Sequence, residues 1–184
     1  MTHYQQIFKI KTTGKSLCKI TDQVENVVAN SGIKTGLCTL FLRHTSASLL
    51  IQENADPDVL KDLANFLAKL VPEGDRYIHD AEGPDDMPAH IRTALTHTSE
   101  QIPIDRGRLL LGTWQGIYLW EHRQRGHIRE LVVHISGSWE RERESACVFL
   151  PLQSNPEIIL TWFLGDRPIE QGLKSSLQTE EVNY

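Results

Sequence analysis

The feature that most restricts the fold of this chain is the order in which two hydrophobic periods follow one another. Residues 4–12 (YQQIFKIKT) alternate as a half-buried strand does. Gly14 turns the chain, and Ser16–Lys19 makes a short second strand. The period then changes: Ile20, Val24, Val27 and Val28 recur at helical spacing, with Thr21 as N-cap and Gly32 as the stop. Residues 34–43 (KTGLCTLFLR) and the LLIQEN run return to extended structure. Asp56-Pro57 opens a second helix, whose stripe of Val59, Leu63, Phe66, Leu67 and Leu70 is expected to be buried, and which Pro72 and Gly74 end. Pro88 opens a third helix, PAHIRTALTH, with Ile91, Ala94 and Leu95 turned inward and His90 and His97 on one face. From Gln101 to Ser136 the pattern is strand again: QIPI, RLLLG, GIYLWEH and IRELVVHIS, with a turn near Gly126 making the last two a hairpin. Strand, helix, strands, two helices, strands is not the regular β-α alternation of a doubly wound sheet. It predicts an α+β fold, a mostly antiparallel sheet covered by helices on one face.

The totals set the remaining bounds. A chain of 184 residues suggests one domain, assigned here to residues 1–140, with residues 141–184 as a C-terminal extension. Hydrophobic content of 40% and charged content of 23% are those of a soluble globular protein that builds a core without disulfides. A net charge of −5 argues against a nucleic-acid partner, because proteins dominated by phosphate-backbone binding are usually basic. Cys18, Cys38 and Cys147 form no CxxC pair and are odd in number, so they read as small buried hydrophobes in a reducing compartment. The start, MTHYQQIFKI, lacks the basic and apolar regions of a signal peptide, and no apolar run is long enough for a membrane span. The expectation is a cytoplasmic protein without a membrane partner. The extension carries the charge run ERERES, prolines 151, 156 and 168, and an apolar run at 158–165 (IILTWFLG). It reads as a surface appendage whose apolar segment docks on the body or on a neighbouring subunit.

Titratable chemistry concentrates between Glu73 and Glu121. His79, His90 and His97 lie there, with Glu73, Asp75, Asp80, Glu82, Asp85 and Asp86 crowded into its start. Of these carboxylates Asp80 is the site candidate, while Glu73 and Asp75 read as solvated. His44 follows a strand end, where loops gather, and Glu53 lies nine residues further on. The histidine spacing matches no HExxH, CxxC or EF-hand pattern. His122 and His134 read as half-exposed strand residues. Arg108 follows Gly107, and Gly112-Thr113-Trp114-Gln115-Gly116 lies between two strands. Glycines there would bring backbone close to a ligand and leave N–H groups free, or would simply bend the sheet. The segment is not a P-loop, and no GxSxG elbow accompanies Ser46 or Ser48.

Several of these segments together resemble the YjbQ family: His44-Thr45-Ser46-Ala47-Ser48, Glu53 through Asp58, Tyr77-Ile78-His79-Asp80, Glu82 through Ile91, and Gly107-Arg108 through Tyr118 with Glu121. The resemblance runs in register over roughly residues 4–138. It implies an α+β fold with a mixed sheet, a compact homotrimer, and a pocket at the subunit interface lined by the His44, His79 and His90 motifs. It further implies a divalent metal, zinc or magnesium, held by His44, His79 and His90, or by two of them with Glu53 or Asp80, and no organic cofactor. His44, Glu53, Asp80 and Gln115 would form the catalytic set. Arg108 and residues Gly112, Thr113, Trp114 and Gly116 would receive the phosphate of a small phosphorylated metabolite. Family members are described as secondary thiamine-phosphate synthases, joining hydroxymethylpyrimidine diphosphate to thiazole phosphate. The same residues would also serve a non-catalytic trimeric module that binds a metabolite or metal, or a metal-dependent phosphate-ester hydrolase. Two departures stand out. Pro88 occupies a position where some members carry a second histidine, and the extension exceeds the usual family length.

Overall fold

The computed structural model describes residues 1–74 and 76–139. The extension, its apolar run and Asp75 lie outside the described residues. Among the described residues, eight strands and three helices follow in the order β1 (Thr2–Lys11), β2 (Ser16–Lys19), α1 (Thr21–Ser31), β3 (Thr35–Leu42), β4 (Ala47–Glu53), α2 (Pro57–Leu70), α3 (Asp86–Leu95), β5 (Ser99–Asp105), β6 (Arg108–Leu109), β7 (Gln115–Glu121) and β8 (Ile128–Ser138). The fold is α+β, as expected. The strands form two antiparallel sheets, one ordered β1-β8-β3-β5-β6 and the other β2-β7-β4.

The core lies between these sheets. Cys38, Leu40 and Leu42 of β3 and Leu131, Val133 and Ile135 of β8 meet Leu49, Ile117 and Leu119 of the smaller sheet. Val24, Val27 and Val28 of α1 join the cluster. Two facing sheets and one inserted helix therefore replace the expected single sheet with helices on one face.

The expected β7–β8 hairpin does not form. β8 pairs with β1 and β3, whereas β7 pairs with β2 and β4. Gly126 marks the reason. A Cβ there would come within 2.1 Å of the Thr12 carbonyl oxygen, and next to it the Thr12 N–H donates to His127 O at 2.9 Å. The glycine lets the chain cross the end of β1 and enter the other sheet rather than fold back on β7.

The helices show where local signals were outweighed. Gly32 ends α1 in the left-handed region at φ 71°, but Thr21 is not the cap. Its hydroxyl accepts the Ile117 N–H at 2.9 Å, tying α1 to β7 instead. Asp56 does cap α2, accepting the Asp58 N–H at 2.9 Å. Of the α2 stripe only Leu67 is fully buried, and Phe66 and Leu70 are 64% and 57% exposed. α3 starts two residues before Pro88. It buries Asp86, Ala89, Arg92 and Thr93, while Ala94 and Leu95 face outward. His97 lies beyond the helix, where its carbonyl accepts the Leu49 N–H at 2.7 Å, so it shares no helical face with His90.

Candidate metal centre

The early start of α3 creates the centre. Asp86 occupies the first turn and His90 lies four residues on, so both side chains emerge on one face. Gly83, at φ 112°, turns the preceding segment so that its N–H reaches Asp80 O and its carbonyl receives the Asp86 N–H. This brings His79 over the helix start. His79 Nε2 stands 2.7 Å from Asp86 Oδ2, and His90 Nε2 3.7 Å from Asp86 Oδ1. The two rings meet edge to face with centroids 5.5 Å apart. One ligating atom from each of His79, Asp86 and His90 falls within 4.8 Å of the others.

Arg123, two residues past the end of β7, braces this arrangement. Its Nε donates to Asp85 Oδ2 at 3.0 Å, its Nη1 to Asp86 Oδ1, and its Nη2 to Glu82 O at 2.9 Å. Burial pushes the Asp85 carboxyl up, but the Gln124 N–H and the Arg123 guanidinium outweigh it and hold the group below its ordinary value.

The donor set fits a divalent cation. His90 Nδ1 lies 2.9 Å from Thr45 O, and because a carbonyl can only accept, that nitrogen carries the proton. The Nε2 lone pair is then left for a ligand, the orientation that metal-binding histidines typically have. Arg123 engages one Asp86 oxygen, leaving the other beside His79. Two imidazoles and a carboxylate form the three-ligand pattern of open zinc sites.

His90 also forms a wall of a cleft of about 870 Å³, with His44, Thr45, Arg43, Thr93 and Arg129 among its other walls. Arg129 is anchored at its back by Glu121, which accepts from Nε at 2.7 Å and from Nη2. Burial raises the Glu121 carboxyl, but Arg129, the Arg123 N–H and Thr12 together bring it below its ordinary value. His44 Nε2 accepts the Glu130 N–H at 2.7 Å. A neutral ring must then carry its proton on Nδ1, which faces Arg129 Nη1 at 3.4 Å as donor to donor. Burial, and then the Arg129 charge, lower the His44 pKa accordingly. Thr93, 8% exposed, also borders the cleft, and its hydroxyl is buried without a hydrogen-bond partner.

The structure thus joins only part of the expected site. His79 and His90 converge, but the third member is Asp86. His44 stands in the adjoining cleft with its Nε2 engaged, outside the ligand cluster. Asp80 is exposed, and its backbone oxygen caps the turn at Gly83. Glu53 and Gln115 pair with each other at the far end of β4 and β7, six residues from the Ala47–Glu121 pair beside the cleft. At about 3.4 Å per residue that is roughly 20 Å. Arg108 sits exposed on β6, near the start of β3, whereas His44 follows that strand's end. In the Gly112–Gly116 loop the expected free N–H of Gly112 donates to Gln115 Oε1 at 2.8 Å, Thr113 and Trp114 are exposed, and Gly116 packs against Tyr118 and Asn54. His122, expected to be half exposed, is buried, with Nε2 2.9 Å from Ser48 Oγ, and burial followed by the Arg92 charge drops its pKa to about 3. Sequence reasoning missed Asp86, Arg123, Arg129 and Thr93. The four-residue spacing of Asp86 and His90 was the available signal, hidden once the helix was started at Pro88.

Known proteins bear on this geometry. A model of the UPF0047 protein YjbQ-like family matches residues 6–138. UPF0047 protein sll1880 of Synechocystis is 67% identical over 135 residues, covering 73% of this chain and 92% of the relative. The YjbQ protein of Escherichia coli O157:H7 is 40% identical, over 73% of this chain and 98% of its own length. A crystal structure of a YjbQ/UPF0047 family protein from Clostridium acetobutylicum superposes with TM-score 0.65 at 38% identity, covering 72% of this chain and 99% of that one. A Sulfolobus solfataricus structure, described as a protein of unknown function, gives TM-score 0.67 at 26% identity over 74% of this chain and 100% of its own. With a family model spanning nearly the whole of the two-sheet fold and the His79, Asp86 and His90 cluster within it, this chain belongs to the YjbQ (UPF0047) family.

Proposed function

We propose that the chain is a metal-dependent enzyme acting on a small phosphorylated metabolite bound in the His44–His90 cleft. The observation that carries the reading is the His79–Asp86–His90 cluster opening beside a cleft backed by Arg129. His79, Asp86 and His90 would hold the cation, and a bound cation would supply Lewis-acid stabilisation of phosphate oxygens. Arg129 offers Nη1, the guanidinium nitrogen that Glu121 leaves unengaged, to the same anion, and Arg43, whose Nη1 pairs with Glu130 at 2.9 Å, lines the same cleft. The Thr93 hydroxyl would donate to a substrate oxygen.

The positive charge of the cleft suits departure of a phosphate or pyrophosphate. Among the described residues no carboxylate lines it, and the His44 Nε2 lone pair is already used by a backbone N–H. A side-chain base to activate water is thus missing from its walls, but a bound cation would itself activate water, so the phosphate-ester assay separates transfer from hydrolysis. Formation of thiamine phosphate involves such a departure. The bond from the pyrimidine-bearing carbon to the thiazole nitrogen forms as the carbon–oxygen bond to pyrophosphate breaks, and pyrophosphate carries the electron pair away. Our proposal names this transfer as the first reaction to assay and sets it in the cytoplasm, in keeping with the unpaired Cys18 and Cys38.

The proposal includes a homotrimer. The family resemblance implies it, and because Glu53, Arg108 and the Gly112–Gly116 loop lie at the opposite ends of the strands from the histidines within one chain, they would share a site with them only across a subunit boundary. The test combines metal analysis with turnover of the two thiamine precursors and of phosphate esters. Wild-type protein should retain a stoichiometric divalent metal and form thiamine phosphate, and Asp86→Asn and His90→Ala should lose both while keeping their circular dichroism. Folded variants with unchanged metal content and rate would overturn the reading.

A further inference from the structure

A second cavity, of about 300 Å³, lies between α2, β2 and the end of β7, apart from the His79–Asp86–His90 centre. That volume is at the lower end of the range for small-molecule sites. Its apolar walls come from Leu17, Leu60, Leu67 and the Trp120 ring, and Ala64 of α2 also faces it. Its polar corner is cationic. Arg92, only 5% exposed, lines the cavity with its Nε lacking any hydrogen-bond partner. A buried guanidinium N–H left unsatisfied is costly, and it is unusual enough to require an explanation. The remainder of the group is fixed, with Nη2 donating to Val71 O at 2.7 Å and Nη1 reaching Glu73 Oε1 at 3.5 Å. Lys15 lines the same corner and pairs with Glu73, and Gln124 Nε2 holds the other Glu73 oxygen at 2.7 Å. One carboxylate of the chain is therefore already gripped by the cations at this mouth. Glu121, the acid among the lining residues, is neutralised from behind by Arg129.

We propose that this cavity binds a small organic carboxylate, its apolar body against Leu17, Leu67 and Trp120 and its carboxylate on the Arg92 Nε–H and Lys15. Neutral molecules of the same shape would leave the Arg92 donor unpaired, and inorganic anions would leave the apolar walls uncovered. The site is thus selective for molecules that carry both features.

The test is a two-dimensional NMR titration of the full chain with benzoate and 3-phenylpropionate, following the Arg92 Nε–Hε and Trp120 indole resonances. Benzyl alcohol and inorganic phosphate serve as controls. Both carboxylates should shift these signals saturably, and at least roughly tenfold more tightly than either control. Ala64→Phe, which fills the cavity from the half-buried face of α2, should abolish the shifts with an unchanged circular dichroism spectrum. Glu73→Gln removes the competing carboxylate and should tighten binding. Arg92→Lys should weaken it, and if that variant fails to fold, the Ala64 and Glu73 variants still decide. Equal affinity for benzyl alcohol, binding that survives Ala64→Phe, or weaker binding in Glu73→Gln would each overturn the proposal.

Discussion

Asp86 does two jobs that a single substitution separates. It stands between His79 and His90, and it receives Arg123, whose side chain is 11% exposed. Asp86→Asn keeps the shape but removes the charge that balances the guanidinium. We expect a loss of about 1–3 kcal/mol in urea unfolding, the cost of weakening a charge-assisted bond in a buried setting. The neighbouring Asp80→Asn, on an exposed side chain, should stay within about 0.5 kcal/mol of wild type. Buried His122 makes a second residue-scale prediction. Its folded pKa of about 3 lies below the ordinary 6.5, so the native state resists protonation that the unfolded chain accepts. Above pH 6.5 the group contributes no pH dependence. As pH falls from 6.5 towards 3 the unfolded state takes up the proton first, and stability drops by at most about 1.4 kcal/mol per pH unit. Glu121 adds to the loss at more acidic pH. Its depressed carboxyl stabilises the fold above its unfolded pKa, and that contribution disappears as pH falls through the folded value. His122→Asn should flatten the limb between pH 6.5 and 4.5 in urea midpoints taken across that range, while leaving the more acidic Glu121 limb. An unchanged slope would show that His122 is protonated in the native state.

Elements were legible where a local rule and the tertiary packing agreed. Asp56-Pro57 starts α2 as its cap and first-turn chemistry dictates, and Asp56→Ala should cost roughly 1 kcal/mol. The α2 stripe shows the opposite case. A 3.6-residue period marks an apolar face but does not say whether the chain itself supplies a cover for it. Leu67→Ala should therefore cost about 2–4 kcal/mol, while Phe66→Ser, at 64% exposed, should change the unfolding free energy of the isolated subunit by less than about 0.5 kcal/mol. Chemical denaturation of the two variants side by side checks the contrast. α3 was misread because its inward face is polar. Asp86, Arg92 and Thr93 are buried there, and no hydrophobicity pattern predicts a carboxylate or a guanidinium turned to the inside. His79 and His90 were singled out together with His44 through the family resemblance, but Asp86, the carboxylate that the first two share, was hidden by a two-residue error in the helix start. Arg123 and Arg129 were invisible for a different reason. Arg123 lies 37 residues along the chain from Asp86, and Arg129, although anchored by Glu121 only eight residues away, lies 85 from His44, and local spacing holds no record of such distant contacts.

At the scale of the whole molecule, the division of the strands into two sheets decides what a single chain can build. β7 belongs to β2 and β4, so the loop before it is carried to the end of the smaller sheet away from the cleft. Leu110 and Trp114, 57% and 64% exposed, are large apolar side chains beside and within that loop that the described residues leave uncovered. In a ring of three identical subunits, head-to-tail contacts would set one subunit's Gly112–Gly116 loop against its neighbour's cleft, and each site would draw residues from two chains. This makes a sharp prediction for mixed assemblies. His90→Ala and Arg108→Ala proteins should each be inactive in thiamine phosphate formation. Denatured together in equal amounts and refolded, they should regain about a quarter of the wild-type rate, because in random assembly that share of sites receives an intact His90 from one subunit and an intact Arg108 from the next. Light scattering on the same samples should give three times the subunit mass. Restored activity at the subunit mass, or a trimer whose mixture remains inactive, would mean that the loop does not complete the cleft, and that the His79–Asp86–His90 centre works with the residues of its own chain.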